Sequence, residues 1–421
     1  TVPGAPGAWA ELSRKFGKLP LSEVLQPAID YAENGFAVTP IIAKTWQSAH
    51  NAYSKLEGEE FKPWFETFSP NGKPPKVGEI WRSPDHAKTL RSIAESNAES
   101  FYRGELATKI AEYSRKYNGF ITEDDMAAFQ PKWVDPIKVN YRGYDVWEIP
   151  PNGQGIITLL ALTTLKGYDF TERLSVESFH KQIEAMKLAF TDGKHFITDP
   201  KDMNVTVDAL LSESFAKQRR DQIGDEAIMP EPGNPPKGGT VYLATADQEG
   251  NMVSFIQSNY MGFGSGIVVP GTGISLQNRG CEFSLDPTNI NCLEGGKQTY
   301  HTIIPGFLTK GDQAVGPFGV MGGYMQPQGH AQVIMNTIDF HLNPQAALDV
   351  PRWQWIEGKK VSLEANFPLD IAQALVRKGH DIQIAHDSIS FGRGQIIWRD
   401  PDTGVLQGGT EPRTDSSIAV W

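Results

Sequence analysis

Cysteine is almost absent from this sequence of 421 residues, in which only Cys281 and Cys292 occur. Their spacing matches neither a CxxC redox pair nor the ligand pattern of a zinc site. The two residues could form a disulfide in an oxidising compartment, but we favour two buried free thiols. A disulfide-rich scaffold and a cysteine metal site are therefore excluded.

Runs of one charge sign and long apolar runs are also lacking. The net charge is −11, with acidic and basic residues interspersed, so no basic segment would bind nucleic acid. No apolar stretch is long enough to span a bilayer. The sequence begins at Thr1 without Met or a signal peptide, which we interpret as a missing N-terminal segment. Periplasmic, extracellular and cytoplasmic locations all stay open.

The common catalytic motifs are missing as well. Ser265 lies in GFGSG rather than GxSxG, and no Walker loop, HExxH or strand–GxGxxG–helix unit occurs. His180 and Glu184 are one helical turn apart and could share a metal ion. Because the sequence offers no third ligand nearby, we favour a partly buried hydrogen-bonded pair. We expect neither a metal nor a cofactor.

Apolar residues are plentiful enough for a large core, with a hydrophobic fraction of 39%, 10 Trp and 21 Phe. Helical periodicity and strand alternation predict an α+β fold in which helices cover sheets. The predicted helices are 21–34, 84–98, 175–190 (with Gly193 just beyond the end), 327–339 and 369–378. The predicted strands are 137–140, 144–148, 273–278, 314–321, 360–364, 382–384 and 395–398.

The amino-acid composition changes abruptly just before Thr240. Residues 224–239 (GDEAIMPEPGNPPKGG) contain four prolines and four glycines without apolar periodicity, which predicts an exposed linker. A strand begins at Thr240 at once (TVYLATAD), turns at 248–251 and returns as MVSFIQS. Alternating apolar residues around a Gly-Asn turn predict a hairpin.

A threonine at such a junction could act as a nucleophile. Its hydroxyl is weak at neutral pH and needs a base, which its own α-amine supplies once the preceding peptide bond is cut. Gly238 and Gly239 tolerate a strained backbone before Thr240. Gly322 and Gly323, which follow an apolar strand, could donate backbone N–H groups to an oxyanion. On spacing alone, an ordinary linker–strand junction is the favoured interpretation.

Sequence blocks along nearly the whole chain favour the nucleophile interpretation of Thr240 over an ordinary linker–strand junction. The run GGTVYLATADQEGNMVSFIQSNYMGFGSGIVVPGTGISLQNRG resembles the nucleophile segment of gamma-glutamyltransferases. VPGAPGAWAELSRKFGKLP, LQPAIDYAENGF, FITEDDMAAF, PNGQGI and EAMKLAF resemble the large-subunit region. MGGYMQPQGHAQVIMNTIDF, LNPQAALDVPRW and TEPRTDSS resemble the small-subunit region. The resemblance implies a four-layer αββα sandwich of the N-terminal-nucleophile (Ntn) hydrolase type.

The same resemblance implies a cut between Gly239 and Thr240. The large-subunit part would be residues 1–239 and the small subunit 240–421, both remaining associated in one αββα domain. Thr240 matches the family's nucleophile, and Ser258 lies where the family has a hydroxyl that hydrogen-bonds to it. Gly322 and Gly323 match the oxyanion-hole glycines.

The acyl-binding positions depart from the glutathione-cleaving pattern. An amide and an acidic side chain that hold the substrate α-ammonium are replaced by Arg279 and Glu282. The hairpin asparagine corresponds to Tyr260, with Asn259 adjacent, and two carboxylate-binding serines correspond to His301 and Thr302. Arg279 either contacts substrate or forms a structural salt bridge with Glu282. The family's carboxylate-binding arginine lies upstream of this chain, and the 283–297 loop is shorter than the lid of many relatives.

Three functions follow. The first is transfer or hydrolysis of γ-glutamyl amides such as glutathione, and the second is a glutaryl or cephalosporin-type acylase. Arg279 favours the second, because it offers a carboxylate partner where an ammonium would normally bind. The third is an inactive binding scaffold, against which the intact Thr240, Ser258 and glycine pair argue. The expected partners are an acyl-amide substrate and the two subunits of one precursor.

Overall fold

The computed structural model describes residues 1–230 and 239–421, which divide into two compact units. The first unit combines residues 1–133 with 259–279, and the second combines 134–258 with 280–421. The predicted division at 239/240 concerns a covalent cut rather than packing, so it stays a prediction.

The first unit is helical. Segment 259–279 contributes Phe263 and Val268 to one apolar cluster, around Trp46 and Trp64, and Val269 to another. Its elements are α1 (Ala5–Phe16), α2 (Leu21–Asn34), β1 (Phe36–Ala37), α3 (Pro40–Tyr53), α4 (Lys62–Phe68), β2 (Ile80–Trp81), α5 (Pro84–Ser96), α6 (Glu99–Arg103), α7 (Glu105–Lys116) and α8 (Glu123–Ala128). Strands β1 and β2 pair antiparallel.

The second unit is built on an antiparallel sheet with the strand order β13-β12-β8-β7-β4-β3. Its strands are β3 (Ile137–Tyr141), β4 (Tyr144–Glu148), β7 (Gly306–Lys310), β8 (Gln313–Met321), β12 (Arg393–Arg399) and β13 (Leu406–Thr410). A hairpin of β5 (Gly239–Ala246) and β6 (Met252–Tyr260) forms a two-stranded sheet, and β9 (Trp353–Glu357), β10 (Lys360–Glu364) and β11 (Asp381–Ala385) form a three-stranded one.

Helices bury the second unit's core. They are α9 (Gly155–Leu165), α10 (Val176–Phe196), α11 (Val207–Leu210), α12 (Glu213–Arg220), α13 (Met325–Ile338), α14 (Pro344–Asp349) and α15 (Leu369–Arg377). Every residue of α9 is buried, and the hydroxyls of two of its threonines, Thr163 and Thr164, donate to carbonyls one turn earlier. None of the helices in the described ranges is long and apolar enough to cross a membrane.

Adjacent residues of β8 show what covers each face of the large sheet. A Cβ at Gly319 would lie 2.5 Å from the ring of Tyr242 in β5. The next residue, Val320, packs on the other face, where its side chain would be 2.5 Å from a Cβ at Gly329 in α13. Because successive strand residues point to opposite faces, the hairpin and α13 lie on opposite sides of the sheet. The fold is thus a mixture of helix and sheet, as predicted, and the four-layer αββα arrangement stays a prediction.

Two predicted elements were wrong. Helix α10 continues past Gly193, whose missing Cβ leaves room for Ile157 of α9, so this glycine serves helix packing rather than helix termination. Residues 273–278 form no strand and make one bridge, between Val268 and Ser275. Their apolar alternation instead reflects Ile274 and Leu276, which pack against the helices of the first unit.

Two further predictions need correction. Cys281 and Cys292 are thiols, but Cys281 is exposed and Cys292 half-buried, not buried. The 224–239 segment is not exposed throughout, because Ala227 is buried and its N–H donates to the carbonyl of Lys378. Residues 231–238 of that predicted linker lie outside the described residues.

Candidate active site

Thr240 is the second residue of β5 and is 5% exposed, whereas the next residue, Val241, is 60% exposed. The alternation places the side chains of Thr240 and Tyr242 on the same, inward face of the hairpin. Tyr242 covers Gly319 of β8, and its hydroxyl is 2.9 Å from the Ser254 hydroxyl of β6. This packing holds the start of β5 against the large sheet.

The Thr240 hydroxyl has a hydroxyl neighbour across the hairpin. Its Oγ1 lies 3.0 Å from Oγ of Ser258 in β6, within hydrogen-bond distance. At the far end, Asp247 accepts from the backbone and side-chain N–H groups of Asn251, and Gly250 adopts a φ of 89°. The turn that fixes the strand pairing therefore also fixes Ser258 opposite Thr240.

Gly322 and Gly323 form a tight turn between β8 and α13. Their φ angles are 144° and 61°, a region that favours glycine. Both carbonyls accept hydrogen bonds, from the N–H groups of Met325 at 3.1 Å and Gln326 at 3.2 Å. A Cβ on Gly322 would lie 3.1 Å from Cα of Gly392. Both peptide groups of the turn are therefore held by the backbone around them.

The side chain of Gln154 holds this turn in place, although no pattern in the sequence indicated that role. Its side-chain amide, which is fully buried, donates to the carbonyls of Gly323 and Thr302, both at 2.8 Å. Its Oε1 accepts from the Tyr300 hydroxyl at 3.2 Å. The block PNGQGI marked this segment, but nothing in it indicated partners roughly 150 residues downstream.

The predicted carboxylate-binding positions, His301 and Thr302, flank this network. Nδ1 of His301 accepts from the N–H of Ile303 at 3.2 Å, so its Nε2 carries the proton when the ring is neutral. Thr302 is fully buried, and its hydroxyl has no hydrogen-bond partner in the described parts of the chain. The carboxylate-binding role of His301 and Thr302 stays a prediction.

Glu282 belongs to a second group beside the glycine turn. Its Oε2 accepts a hydrogen bond of 2.6 Å from the hydroxyl of Tyr324, the residue that directly follows Gly323. The Tyr324 ring stacks on Tyr300, with centroids 5.9 Å apart. Nζ of Lys194, near the end of α10, lies 4.8 Å from the centre of the Tyr324 ring. Lys194 and Tyr324 were not among the predicted site residues.

Tyr260 and Arg279 both lie in the first unit and contact each other. The Arg279 guanidinium lies 3.8 Å from the centre of the Tyr260 ring, a close cation–π contact. Both side chains are buried, with exposures of 0% and 2%, and Tyr260 has a φ of 76°. The substrate role and the salt bridge with Glu282 proposed for Arg279 stay predictions.

The His180–Glu184 pair has a third neighbour that the sequence analysis did not find. Nε2 of His380 lies 2.8 Å from Nδ1 of His180 and 3.8 Å from Oε1 of Glu184. Lys187 donates to Glu184 at 2.7 Å, and His180 Nε2 donates to the carbonyl of Gly224 at 3.0 Å. An ammonium in this position disfavours a cation, so we interpret the group as a hydrogen-bonded network.

A sequence profile of the family described as gamma-glutamyltranspeptidase matches residues 1–421. The chain belongs to this family. The glutathione hydrolase-like YwrD proenzyme of Bacillus subtilis (strain 168) is 37% identical, over 99% of this chain and 80% of that protein. The oxamate amidohydrolase proenzyme of Klebsiella pneumoniae is 35% identical, over 100% of this chain and 81% of its own length.

Solved structures agree with this membership. The crystal structure of a cephalosporin acylase from Bacillus halodurans is 64% identical, with a TM-score of 0.97, covering 100% of this chain and 78% of that one. This gamma-glutamyltranspeptidase family member is therefore an enzyme of the Ntn-hydrolase type, in a family that includes glutathione hydrolases and cephalosporin acylases.

Proposed function

We propose that this chain is a precursor that cuts itself between Gly239 and Thr240 and then transfers or hydrolyses acyl groups through an ester on Thr240. The observation that carries the proposal is the 3.0 Å contact between Thr240 Oγ1 and Ser258 Oγ at the start of a strand packed on the large sheet. The two parts, 1–239 and 240–421, stay associated in a four-layer αββα domain.

Self-cleavage begins when Thr240 Oγ1 attacks the carbonyl carbon of Gly239. The C–N bond breaks, the nitrogen becomes the α-amine of Thr240, and Gly239 is held as an ester on Oγ1. Water then hydrolyses that ester, which leaves a carboxylate on Gly239 and a free hydroxyl on Thr240. Ser258 orients the attacking hydroxyl through its hydrogen bond.

The free α-amine is then the base for the enzymatic reaction. It takes the proton of Oγ1 as this oxygen attacks the substrate amide, and it returns the proton to the leaving amine. The N–H groups of Gly322 and Gly323 donate to the oxyanion, an arrangement whose loss typically costs about a hundred- to a thousandfold in rate. Gln154 keeps the peptide groups of that turn in place.

Two acyl donors are candidates. γ-Glutamyl amides such as glutathione are supported by the family and by the name of the YwrD relative. Glutaryl amides of the cephalosporin type are supported by the 64% identity to a cephalosporin acylase. Inhibition by free glutamate or by free glutarate distinguishes them, because the stronger inhibitor matches the acyl group.

The decisive test of the chemistry is mass spectrometry of the purified protein. The parent should give two fragments that correspond to residues 1–239 and 240–421, whereas Thr240→Ala should stay one chain without amidase activity. Thr245→Ala is a matched control, since Thr245 is an exposed threonine of the same strand. Efficient cutting in Thr240→Ala would remove Thr240 from its role and favour a binding scaffold.

A further inference from the structure

We propose that Lys194 binds a carboxylate of the acyl group and so selects amides of short dicarboxylic acids. The inference rests on the proposed acyl-enzyme chemistry at Thr240. It names a specificity residue on α10 that neither the motifs nor the resemblance indicated.

The Lys194 ammonium contacts the side chain of the residue that directly follows the proposed oxyanion turn. Its Nζ lies 4.8 Å from the centre of the Tyr324 ring, and Tyr324 directly follows Gly322 and Gly323. In a glutaryl group, the amide carbon and the distal carboxylate carbon are about 5 Å apart, from C–C bonds of about 1.5 Å. The Tyr324 side chain therefore connects the turn, where the amide carbon would be held, to the ammonium that would bind the distal carboxylate.

The N–H groups of the Lys194 ammonium are available to donate hydrogen bonds to a ligand. Among the residues that the structure describes, Lys194 makes no hydrogen bond or ion pair, although it is half-buried. Glu282 is near enough to act on its charge, but the carboxylate accepts from the Tyr324 hydroxyl at 2.6 Å. An ammonium has three N–H donors, so a substrate carboxylate would supply a partner for a group that burial otherwise destabilises.

Burial also lowers the pKa of Lys194 toward neutral pH. Desolvation lowers the pKa of Lys194 to about 8, against the opposing attraction of Glu282. The ammonium is therefore present at neutral pH and is lost as the pH rises through about 8. The binding of an anionic acyl group should follow that titration.

Lys181 provides a matched control on the same helix. Its Nζ lies 4.6 Å from the centre of the Tyr168 ring, so it repeats the lysine–tyrosine contact of Lys194. The two lysines are separated by about 20 Å along the helix axis, at 1.5 Å per residue. Lys181→Met removes the same charge and the same type of contact without touching the proposed site.

The experiment compares Lys194→Met with Lys181→Met on p-nitroanilides of glutarate, γ-glutamate and the uncharged pentanoate. Loss of a charge-assisted hydrogen bond predicts that Lys194→Met lowers kcat/KM for the glutaryl and γ-glutamyl substrates about ten- to a hundredfold, mainly by raising KM. The pentanoyl substrate and the Lys181→Met variant should change less than about twofold. Equal losses on glutaryl and pentanoyl substrates would overturn the proposal.

The pH profile separates a recognition role from a structural one. In the parent, the ratio of kcat/KM for glutaryl over pentanoyl should fall as the pH rises through about 8, because Lys194 loses its charge. In Lys194→Met the ratio should be independent of pH in this range. A parent ratio that does not change through pH 7 to 9 contradicts the assignment.

Failure of the proposed function has a different signature. If the parent hydrolyses none of the three amides, the acyl-enzyme chemistry is wrong, whatever Lys194 does. Calorimetry with free glutarate and pentanoate then tests Lys194 alone. Binding of glutarate that weakens at least tenfold in Lys194→Met supports the carboxylate site, and binding that is unchanged or absent overturns it.

Discussion

Two buried networks of charged residues in the second unit hold the chain in different ways. The histidine network (His180, Glu184, Lys187 and His380) binds the backbone at Gly224 and Ile228, just upstream of the proposed cut. The arginine network (Arg352, Glu364, Glu411 and Arg413) binds the loop at 391–392, beside the glycine turn. The first contains histidines, whose ordinary pKa of about 6.5 is close to neutral pH, whereas arginine stays charged at any physiological pH.

The four charged side chains of the arginine network form ion pairs with one another. Arg413 donates to both Glu364 and Glu411, with N–O distances of 2.5 and 2.6 Å, and Arg352 donates to Glu411 at 2.8 Å. Gly394 adds a backbone N–H to Glu411 at 2.7 Å. Every charge has an opposite partner, so this end of the sheet should hold its shape over a wide pH range. The histidine network should do so only while its imidazoles are neutral.

The largest expected effect comes from breaking the arginine network. Arg413→Met leaves Glu364 and Glu411 buried with fewer donors, which should lower the free energy of unfolding by about 5 kcal/mol, at the upper end for a broken buried pair. Urea denaturation measures it. Lys217→Met is the control, because the exposed pair of Lys217 and Asp221 should contribute only about 0.3–0.5 kcal/mol. A loss within 1 kcal/mol for Arg413→Met would contradict a structural role.

Breaking the histidine network should have a smaller effect on stability. Lys187→Met leaves the Glu184 carboxylate buried with the N–H of Ile228 as a remaining donor. We expect a loss of about 3 kcal/mol at pH 8, at the lower end for a broken buried pair. Urea denaturation of parent and variant measures this loss. A loss within 1 kcal/mol would show that Glu184 does not depend on Lys187 for its stability.

The smallest expected effect on stability comes from lowering the pH, without any mutation. Burial lowers the pKa of His380 to about 3, with nearby Lys187 and His180 acting in the same direction, and lowers the pKa of His180. Unfolded histidine titrates near 6.5, so the stability is fully present above that pH and falls as the pH drops toward 3. For His380 the loss should reach about 2 kcal/mol at pH 5.

His380→Gln tests this titration. A glutamine amide keeps a donor toward His180 but cannot bind a proton near pH 6. Between pH 7 and pH 5 the variant should lose less stability than the parent in urea denaturation, because it lacks the proton-binding site of His380. Parallel losses in parent and variant would show that His380 does not titrate as inferred.

Local patterns predicted much of the fold, and distant contacts account for what they missed. The helix at Leu21–Asn34 and the strands at Tyr144–Glu148 and Lys360–Glu364 follow their periodicity to the residue. Gly193 misled the prediction because its space is taken by a side chain from another helix. Hydrophobic spacing along one strand or helix carries no information about such a neighbour.

The same limit applies to the site. Thr240 stood out because a linker meets a strand there and because the surrounding blocks resemble a known family. Gln154 and Lys194 could not be found in this way, since the residues that they contact lie 130 to 169 residues away in sequence. His380 likewise lies 200 residues from His180.

The close approach of Gly322 to Gly392 has a consequence for how this enzyme could acquire new substrates. At this point two stretches of main chain touch, and Gly392 has its own φ of 80° with Val320 filling the space of a Cβ. No side-chain exchange at either glycine can adjust the turn without displacing backbone. Variation that survives selection should therefore accumulate at the proposed acyl-binding residues Lys194, Glu282 and His301, so that acyl preference diverges while the proposed oxyanion-binding backbone stays the same.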